Sequence, residues 1–180
     1  MLRGKVSVVS VFSSGWAENQ VKTFCGREEN PALHAVLAKE GESGAAGLAQ
    51  RVEINHEPNF LKWWILRAFA YRLRGMLERQ DWGKYFLIRR GVSGEIREAI
   101  GALNSRVGYV YLLDPECRIR WAGSAKADET EKVSMVNALR RVLAEAKQAK
   151  NTAGQAKSQT ADSAVEQSTS ASQVTGAAAS

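Results

Sequence analysis

The stretch from Lys5 to Phe12 constrains the fold more than any other part of the sequence. It reads Lys-Val-Ser-Val-Val-Ser-Val-Phe, and most of its apolar residues are β-branched. A strand with one face in solvent alternates apolar and polar side chains, whereas a strand covered on both faces is nearly continuous in its apolar residues. Because this run is too continuous for a half-exposed strand, we predict a strand that is buried on both faces.

The elements after this strand follow in an alternating order. Helical spacing begins at Ala17, a short strand is predicted at Arg51–Asn55, and a long helix at Phe60–Arg79 precedes a strand at Tyr85–Arg89. The rest of the pattern predicts a helix, a hairpin and a last helix, at Ser93–Leu103, Arg106–Ala122 and Asp128–Lys147. This order predicts an α/β layered sheet of the thioredoxin-like (peroxiredoxin-like) type, with an amphipathic helix inserted in its middle.

The first strand-to-helix turn lacks the groups that redox chemistry would need. Thiol exchange requires a thiolate at a helix N-terminus and a second thiol nearby, but Ser13–Glu18 reads Ser-Ser-Gly-Trp-Ala-Glu. We interpret Cys25 as a small buried apolar residue and Cys117 as incidental. The alternative is a thioredoxin-fold thiol oxidoreductase or peroxidase that uses Cys25 or Cys117.

Other chemistry has little support in the sequence. The two cysteines and two histidines are not clustered at the spacing of a metal site, and no phosphate-binding or nucleophile motif is present. The basic residues match no nucleic-acid-binding module. We therefore predict a protein without catalytic residues, metal, cofactor, nucleic-acid partner or small-molecule substrate.

The last 35 residues differ in composition from the rest of the chain. Of residues 146–180, 27 are Ala, Ser, Thr, Gln or Gly, and such a segment cannot bury enough apolar surface to offset the entropy of ordering it. We predict a domain at 1–145 and a disordered Ala/Ser/Gln-rich tail at 146–180. The chain has a net charge of +6, of which the tail carries +1, so the predicted domain suits an anionic partner.

The helix at Phe60–Arg79 is the strongest candidate for an interaction surface. Its apolar residues form two stripes at 100° per residue. The first stripe contains Ile65, Leu66, Phe69, Leu73, Met76 and Leu77, and the second contains Phe60, Trp64 and Tyr71. Four arginines flank the stripes, at positions 67, 72, 74 and 79.

Two interpretations of this helix stay open. In one, it is a core helix whose arginine stems cover its edge. In the other, the first stripe packs on the domain, and the aromatic and basic face binds a membrane surface or an apolar partner helix. The second interpretation predicts partner-binding residues at Phe60, Trp63, Trp64, Arg67, Tyr71 and Arg74.

Four segments in order carry a family resemblance. They read LRGKVSVVSVFSS, WGKYFLIRRG, IREAIGALNSRVGYVYLLD and CRIRWAGSAKADETE. Together they resemble the mitochondrial ATP synthase assembly factor family ATP-ten, in its fungal form, over roughly Leu2 to Leu143. The Gly-Tyr-Val-Tyr-Leu-Leu-Asp strand and the following Ile-Arg-Trp-Ala-Gly are the most specific parts.

The resemblance implies a thioredoxin-like chaperone that is not an enzyme. Family members sit peripherally on the matrix side of the mitochondrial inner membrane, where they assist subunit a of the Fo sector and its association with the subunit c ring. The resemblance also implies a presequence and an upstream segment, which this chain lacks. We therefore expect that the chain is truncated at its N-terminus or has a mispredicted start.

Overall fold

The structure, a computed structural model, describes residues 2–41, 47–57, 59–74, 85–89 and 94–174, with the backbone alone for 41, 70–74, 154 and 156–174. The elements within these ranges follow one another along the chain. They are β1 (Val6–Phe12), α1 (Gly15–Cys25), α2 (Pro31–Gly41), β2 (Ala49–His56), α3 (Phe60–Arg74), β3 (Tyr85–Ile88), α4 (Gly94–Ala99), β4 (Tyr109–Leu113), β5 (Ile119–Ser124) and α5 (Glu129–Val174).

The first strand lies in the middle of a five-stranded sheet, whose order is β3-β2-β1-β4-β5. β1 pairs in parallel with β2, with Val9 opposite Val52. On its other side it pairs antiparallel with β4, with Val9 opposite Tyr111. Six of the seven β1 residues are buried, and only Val11 is half-buried. The prediction of a strand buried on both faces is confirmed.

The order and direction of the strands define a thioredoxin-like fold. β1, α1, α2 and β2 form a parallel β-α-β unit. The antiparallel hairpin of β4 and β5, followed by α5, completes the other half of the sheet. α3 and β3 are inserted between these halves, and β3 pairs in parallel with β2 at the edge of the sheet. The fold class predicted from the sequence is therefore confirmed.

The core is built by helices that cover this sheet. Phe24 of α1, Leu112 of β4 and Leu139 of α5 are fully buried. The Phe24 ring packs edge-on against Trp121 of β5, with the ring centroids 5.8 Å apart.

One predicted core position of α5 is wrong. Val136, Leu139 and Leu143 are buried as the pattern predicts, but Val133 is 59% exposed, and Met135 and Val142 are buried instead. The buried positions 135, 136, 139, 142 and 143 form one stripe at helical spacing, and position 133 lies about 160° from position 135 around the helix.

α4 ends earlier than the sequence predicts. It spans Gly94–Ala99 instead of Ser93–Leu103. Gly101 has a φ of 72°, in the left-handed region that glycine adopts without strain. The N–H of Ala102 then donates to the carbonyl of Arg97 at 2.7 Å, which closes the helix end.

A buried carboxylate organises the turn between β4 and β5. Asp114 is only 2% exposed. Its side chain accepts hydrogen bonds from the N–H groups of Glu116 and Arg118, at 3.1 and 2.9 Å. The guanidinium groups of Arg118 and Arg120 donate to its second oxygen at 2.9 and 3.3 Å. Burial alone would raise the pKa of Asp114, but the hydrogen bonds from Arg118 and Arg120 hold it below its ordinary value.

The C-terminal segment forms a compact unit of its own from Ala144 onward. Its backbone is helical as far as Val174. The predicted domain boundary at 145 and the predicted disorder of residues 146–180 stay predictions.

Candidate functional site

A side-chain cap starts the helix α3. The Oδ1 atom of Asn59 accepts hydrogen bonds from the N–H groups of Leu61 and Lys62, at 3.0 and 3.2 Å. The carbonyl of Asn59 accepts from the N–H of Trp63 at 2.9 Å. Asparagine is a preferred capping residue because its side chain satisfies N–H groups that have no partner within the helix.

α3 exposes an unusual amount of apolar surface. Six large side chains in its first ten residues are exposed, namely Phe60 at 60%, Leu61 at 65%, Trp64 at 59%, Ile65 at 55%, Leu66 at 39% and Phe69 at 64%. Single apolar residues on a protein surface are ordinary, but contiguous apolar patches mark contacts with proteins or membranes. This run is therefore the candidate functional site.

Arginines stack on the aromatic rings at one side of α3. The guanidinium of Arg67 lies 5.1 Å from the centre of the Trp63 ring. Arg89, which follows β3, lies 5.2 Å from the Phe60 ring and 6.0 Å from the Trp63 ring. These distances are within the range of cation–π attraction. Phe60 and Trp63 therefore lie on the side of α3 that faces the end of β3, and Trp63 is half-buried there.

The structure corrects the predicted packing of this helix. Ile65, Leu66 and Phe69, predicted to pack on the domain, are exposed. Among the described residues, α3 lies beside β3, a four-residue strand at the edge of the sheet. The side of α3 that faces this strand is the one with Phe60 and Trp63. The interpretation of α3 as a core helix is wrong for these residues. Met76 and Leu77 lie outside the described residues, as does the side chain of Leu73.

The structure brings four of the six predicted binding residues together. Phe60, Trp63, Trp64 and Arg67 lie on the first two turns of α3. The side chains of Tyr71 and Arg74 lie outside those that the structure describes. Sequence reasoning did not include Leu61, Ile65, Leu66 and Phe69 among the binding residues. The signal was available, because α3 has more large apolar residues than one packed stripe requires.

The strand-to-helix turn before α1 has a structural cap where a redox protein has a thiol. The Oγ atom of Ser14 accepts a hydrogen bond from the N–H of Ala17 at 3.2 Å. Trp16, in the first turn of α1, is 72% exposed. The start of α1 thus presents a hydroxyl and an indole, neither of which exchanges disulfides.

Cys25 has the environment of a core residue. It ends α1 and is fully buried, and the Ser10 hydroxyl donates to its sulfur at 3.7 Å. Burial raises the pKa of the Cys25 thiol to about 11, despite the opposing effects of Arg51 and Ser10. A neutral, buried thiol is a poor nucleophile, which agrees with the interpretation of Cys25 as an apolar core residue.

Cys117 is exposed in the β4–β5 turn. It has a φ of 66°, and its N–H donates to the carbonyl of Asp114 at 2.9 Å.

Within the described ranges, no group of three or more His, Cys, Asp or Glu side chains could hold a metal ion. No helix in the described part of the chain has both the length and the apolar content to cross a bilayer.

Comparison with known proteins assigns the family. Residues 1–142 match the family described as ATP10 protein. The chain belongs to this family. The match spans every strand of the sheet and α3, and it confirms the ATP-ten resemblance of the four segments.

Curated ATP10 relatives are named as subunits of a mitochondrial complex. The chain is 33% identical over 132 residues to the mitochondrial ATPase complex subunit ATP10 of Eremothecium gossypii, a match that covers 73% of this chain and 46% of the relative. It is 27% identical over 140 residues to the protein of that name from Saccharomyces cerevisiae, with 75% and 50% covered. The chain therefore spans about half the length of these relatives.

Solved structures similar to this ATP10 family member include thiol-exchange proteins. A candidate thiol:disulfide interchange protein, DsbE, from Chlorobium tepidum has a TM-score of 0.46 and 13% identity, with 79% of this chain and 82% of that chain covered. The lipoprotein thioredoxin Etrx1 of Streptococcus pneumoniae has a TM-score of 0.41 and 12% identity, with 76% and 86% covered. The strand order and strand directions, rather than these similarities, define the fold of the family member.

Proposed function

We propose that this protein is a non-enzymatic assembly factor, a chaperone, for the mitochondrial proton-translocating ATP synthase. The observation that carries the proposal is the exposed apolar surface of α3 in a member of the ATP10 family. The names of the curated relatives support a role at the mitochondrial ATPase complex. The chaperone would assist subunit a of the Fo sector and its association with the subunit c ring.

The proposed mechanism is reversible contact without turnover. Subunit a is a membrane protein, and its apolar segments need cover before they reach their place in the complex. The aromatic side of α3 offers that cover through contact residues at Phe60, Trp63, Trp64, Arg67, Tyr71 and Arg74. Stacking of Arg67 and Arg89 on the rings keeps two guanidinium groups beside apolar surface, where each can donate to a carbonyl or carboxylate of the client.

The proposed site of action is the matrix side of the mitochondrial inner membrane, with the protein bound peripherally. The basic net charge of the chain supports this proposal, because the membrane surface is anionic. The burial of Cys25 argues against the alternative of a thiol oxidoreductase that uses this residue.

Capture of newly made subunit a tests the client contact. The Trp64→Glu, Tyr71→Glu double variant should remain folded, lose co-purification with newly made subunit a and fail to support assembly. A Trp16→Glu, Leu103→Glu double variant is the matched control, because both residues are more than 70% exposed outside α3. If the α3 variant remains folded, captures the client and supports assembly, the proposed contact site is wrong.

A further inference from the structure

α3 has a second exposed side that the proposed client contact does not use. At 100° per residue from Phe60, Leu61, Ile65, Phe69 and Leu66 fall at 100°, 140°, 180° and 240°. All four side chains are exposed. We call these four residues the outer face of α3, and it points away from the side where Arg89 stacks on Phe60.

We infer that the outer face of α3 binds an anionic phospholipid bilayer, with the helix lying in the plane of the interface. This inference rests on the proposed function for the place of the protein at a membrane. It names a different ligand and different residues from those of the client contact.

The charges of α3 favour an anionic bilayer over an apolar protein surface. No acidic residue occurs between Phe60 and Arg74, and the segment has four basic residues. Arg67 and Arg74 belong to the client contact, whereas positions 62 and 72 fall at 200° and 120°, within the outer face. Lys62 is exposed there. An apolar partner helix would match the four apolar side chains but leave these cations without anions. An anionic bilayer matches both, because a lysine stem can lie along the acyl chains while its ammonium reaches the phosphates.

The charges of α3 also decide between lying in the membrane and crossing it. Four of the 15 residues from Phe60 to Arg74 are basic, whereas a helix that crosses a bilayer has about 20 predominantly apolar residues with few or no charges. A helix with cations among its exposed apolar side chains binds at the boundary between headgroups and acyl chains.

Flotation of the full chain with vesicles tests this inference. We expect the wild type to float with vesicles of phosphatidylcholine and phosphatidylglycerol, and not with vesicles of phosphatidylcholine alone. An Ile65→Glu, Phe69→Glu variant should bind at least about tenfold more weakly, because each charge close to an anionic surface changes binding by about fivefold.

A matched control separates the outer face from the change in net charge. Leu103→Glu, Val133→Glu makes the same charge change at residues that are 73% and 59% exposed. This variant should float within about twofold of the wild type, since neither residue belongs to α3. Flotation of the α3 variant like the wild type, or the same loss in both variants, would overturn the inference.

A second measurement does not depend on charge substitutions. A Phe69→Trp variant places an indole at 180°, in the outer face, at a position that is 64% exposed, so lipids with brominated acyl chains should quench the added fluorescence. A Leu103→Trp variant, at an exposed residue outside α3, should show no added quenching. No added quenching in Phe69→Trp, no flotation with either vesicle type, or equal flotation with both, would each overturn the inference.

The two proposals fail in different ways. An Ile65→Glu, Phe69→Glu variant that no longer floats but still captures newly made subunit a supports the lipid-binding face and leaves the client contact standing. The same variant floating normally while losing the client would show that a protein occupies the outer face, and it would overturn the lipid assignment.

Discussion

The exposure of α3 predicts that its outer face can be made polar at little cost in stability. The test is the double variant Ile65→Gln, Phe69→Gln. The native Ile65 and Phe69 side chains are 55% and 64% exposed, so less than half of each side chain is covered by the protein. Complete burial of such a side chain contributes about 1.5–3 kcal/mol, and the covered part therefore contributes about 0.5–1.3 kcal/mol. Glutamine is the better helix former by a few tenths of a kcal/mol. The expected loss in free energy of unfolding is about 1–2 kcal/mol for the pair.

Urea denaturation followed by circular dichroism measures this loss. The comparison is Phe24→Ala, at a fully buried position in contact with Trp121, where truncation should cost about 3–5 kcal/mol. A loss of about 3 kcal/mol or more in the α3 pair would refute the reasoning. It would mean that the native protein buries the outer face within itself, and the lipid-binding proposal would then lose its surface.

Three further predictions concern the rest of the domain. Asp114→Ala should lower the free energy of unfolding by about 2–3 kcal/mol at neutral pH, because the N–H groups of Glu116 and Arg118 lose a charged acceptor. Since the pKa of Asp114 is held below its ordinary value of 3.8, this stabilisation is present above pH 3.8 and is lost as the pH falls through the lowered pKa. A wild-type stability profile without that loss would contradict the assignment. Gly108→Ala should lower the free energy of unfolding by about 1–3 kcal/mol, because the new Cβ would meet the Ala17 carbonyl and the Val21 side chain. Gly15→Ala, where the new methyl group has open space around it, should unfold at the same temperature as the wild type or at a higher one. When the native protein is titrated with a thiol reagent at pH 8, Cys117 should react at once, because it is exposed. Cys25 should react only as the protein unfolds, because it is buried and its pKa is about 11. Two thiols that react equally fast would favour the alternative of a thiol oxidoreductase.

Much of the fold could be predicted from the sequence, because the periodicity of an element and its burial determine the spacing of its apolar residues. The continuous apolar run of β1 predicted a strand buried on both faces, and six of its seven residues are buried. The order of elements predicted the thioredoxin-like sheet. Boundaries were less predictable, as at α4, where the left-handed Gly101 ends the helix earlier than its apolar spacing suggests.

The sequence by itself determined the family, the element order and the absence of a thiol in the first turn, because each of these is a matter of residue identity along the chain. Only the tertiary structure decided what covers a given side chain. Helical spacing places Ile65 and Phe69 on one face, but it does not say whether a neighbour packs there; a short edge strand as neighbour left that face open. The surroundings of Asp114 also depend on the tertiary structure. Arg118 donates to its carboxylate only when the β4–β5 turn has folded around it.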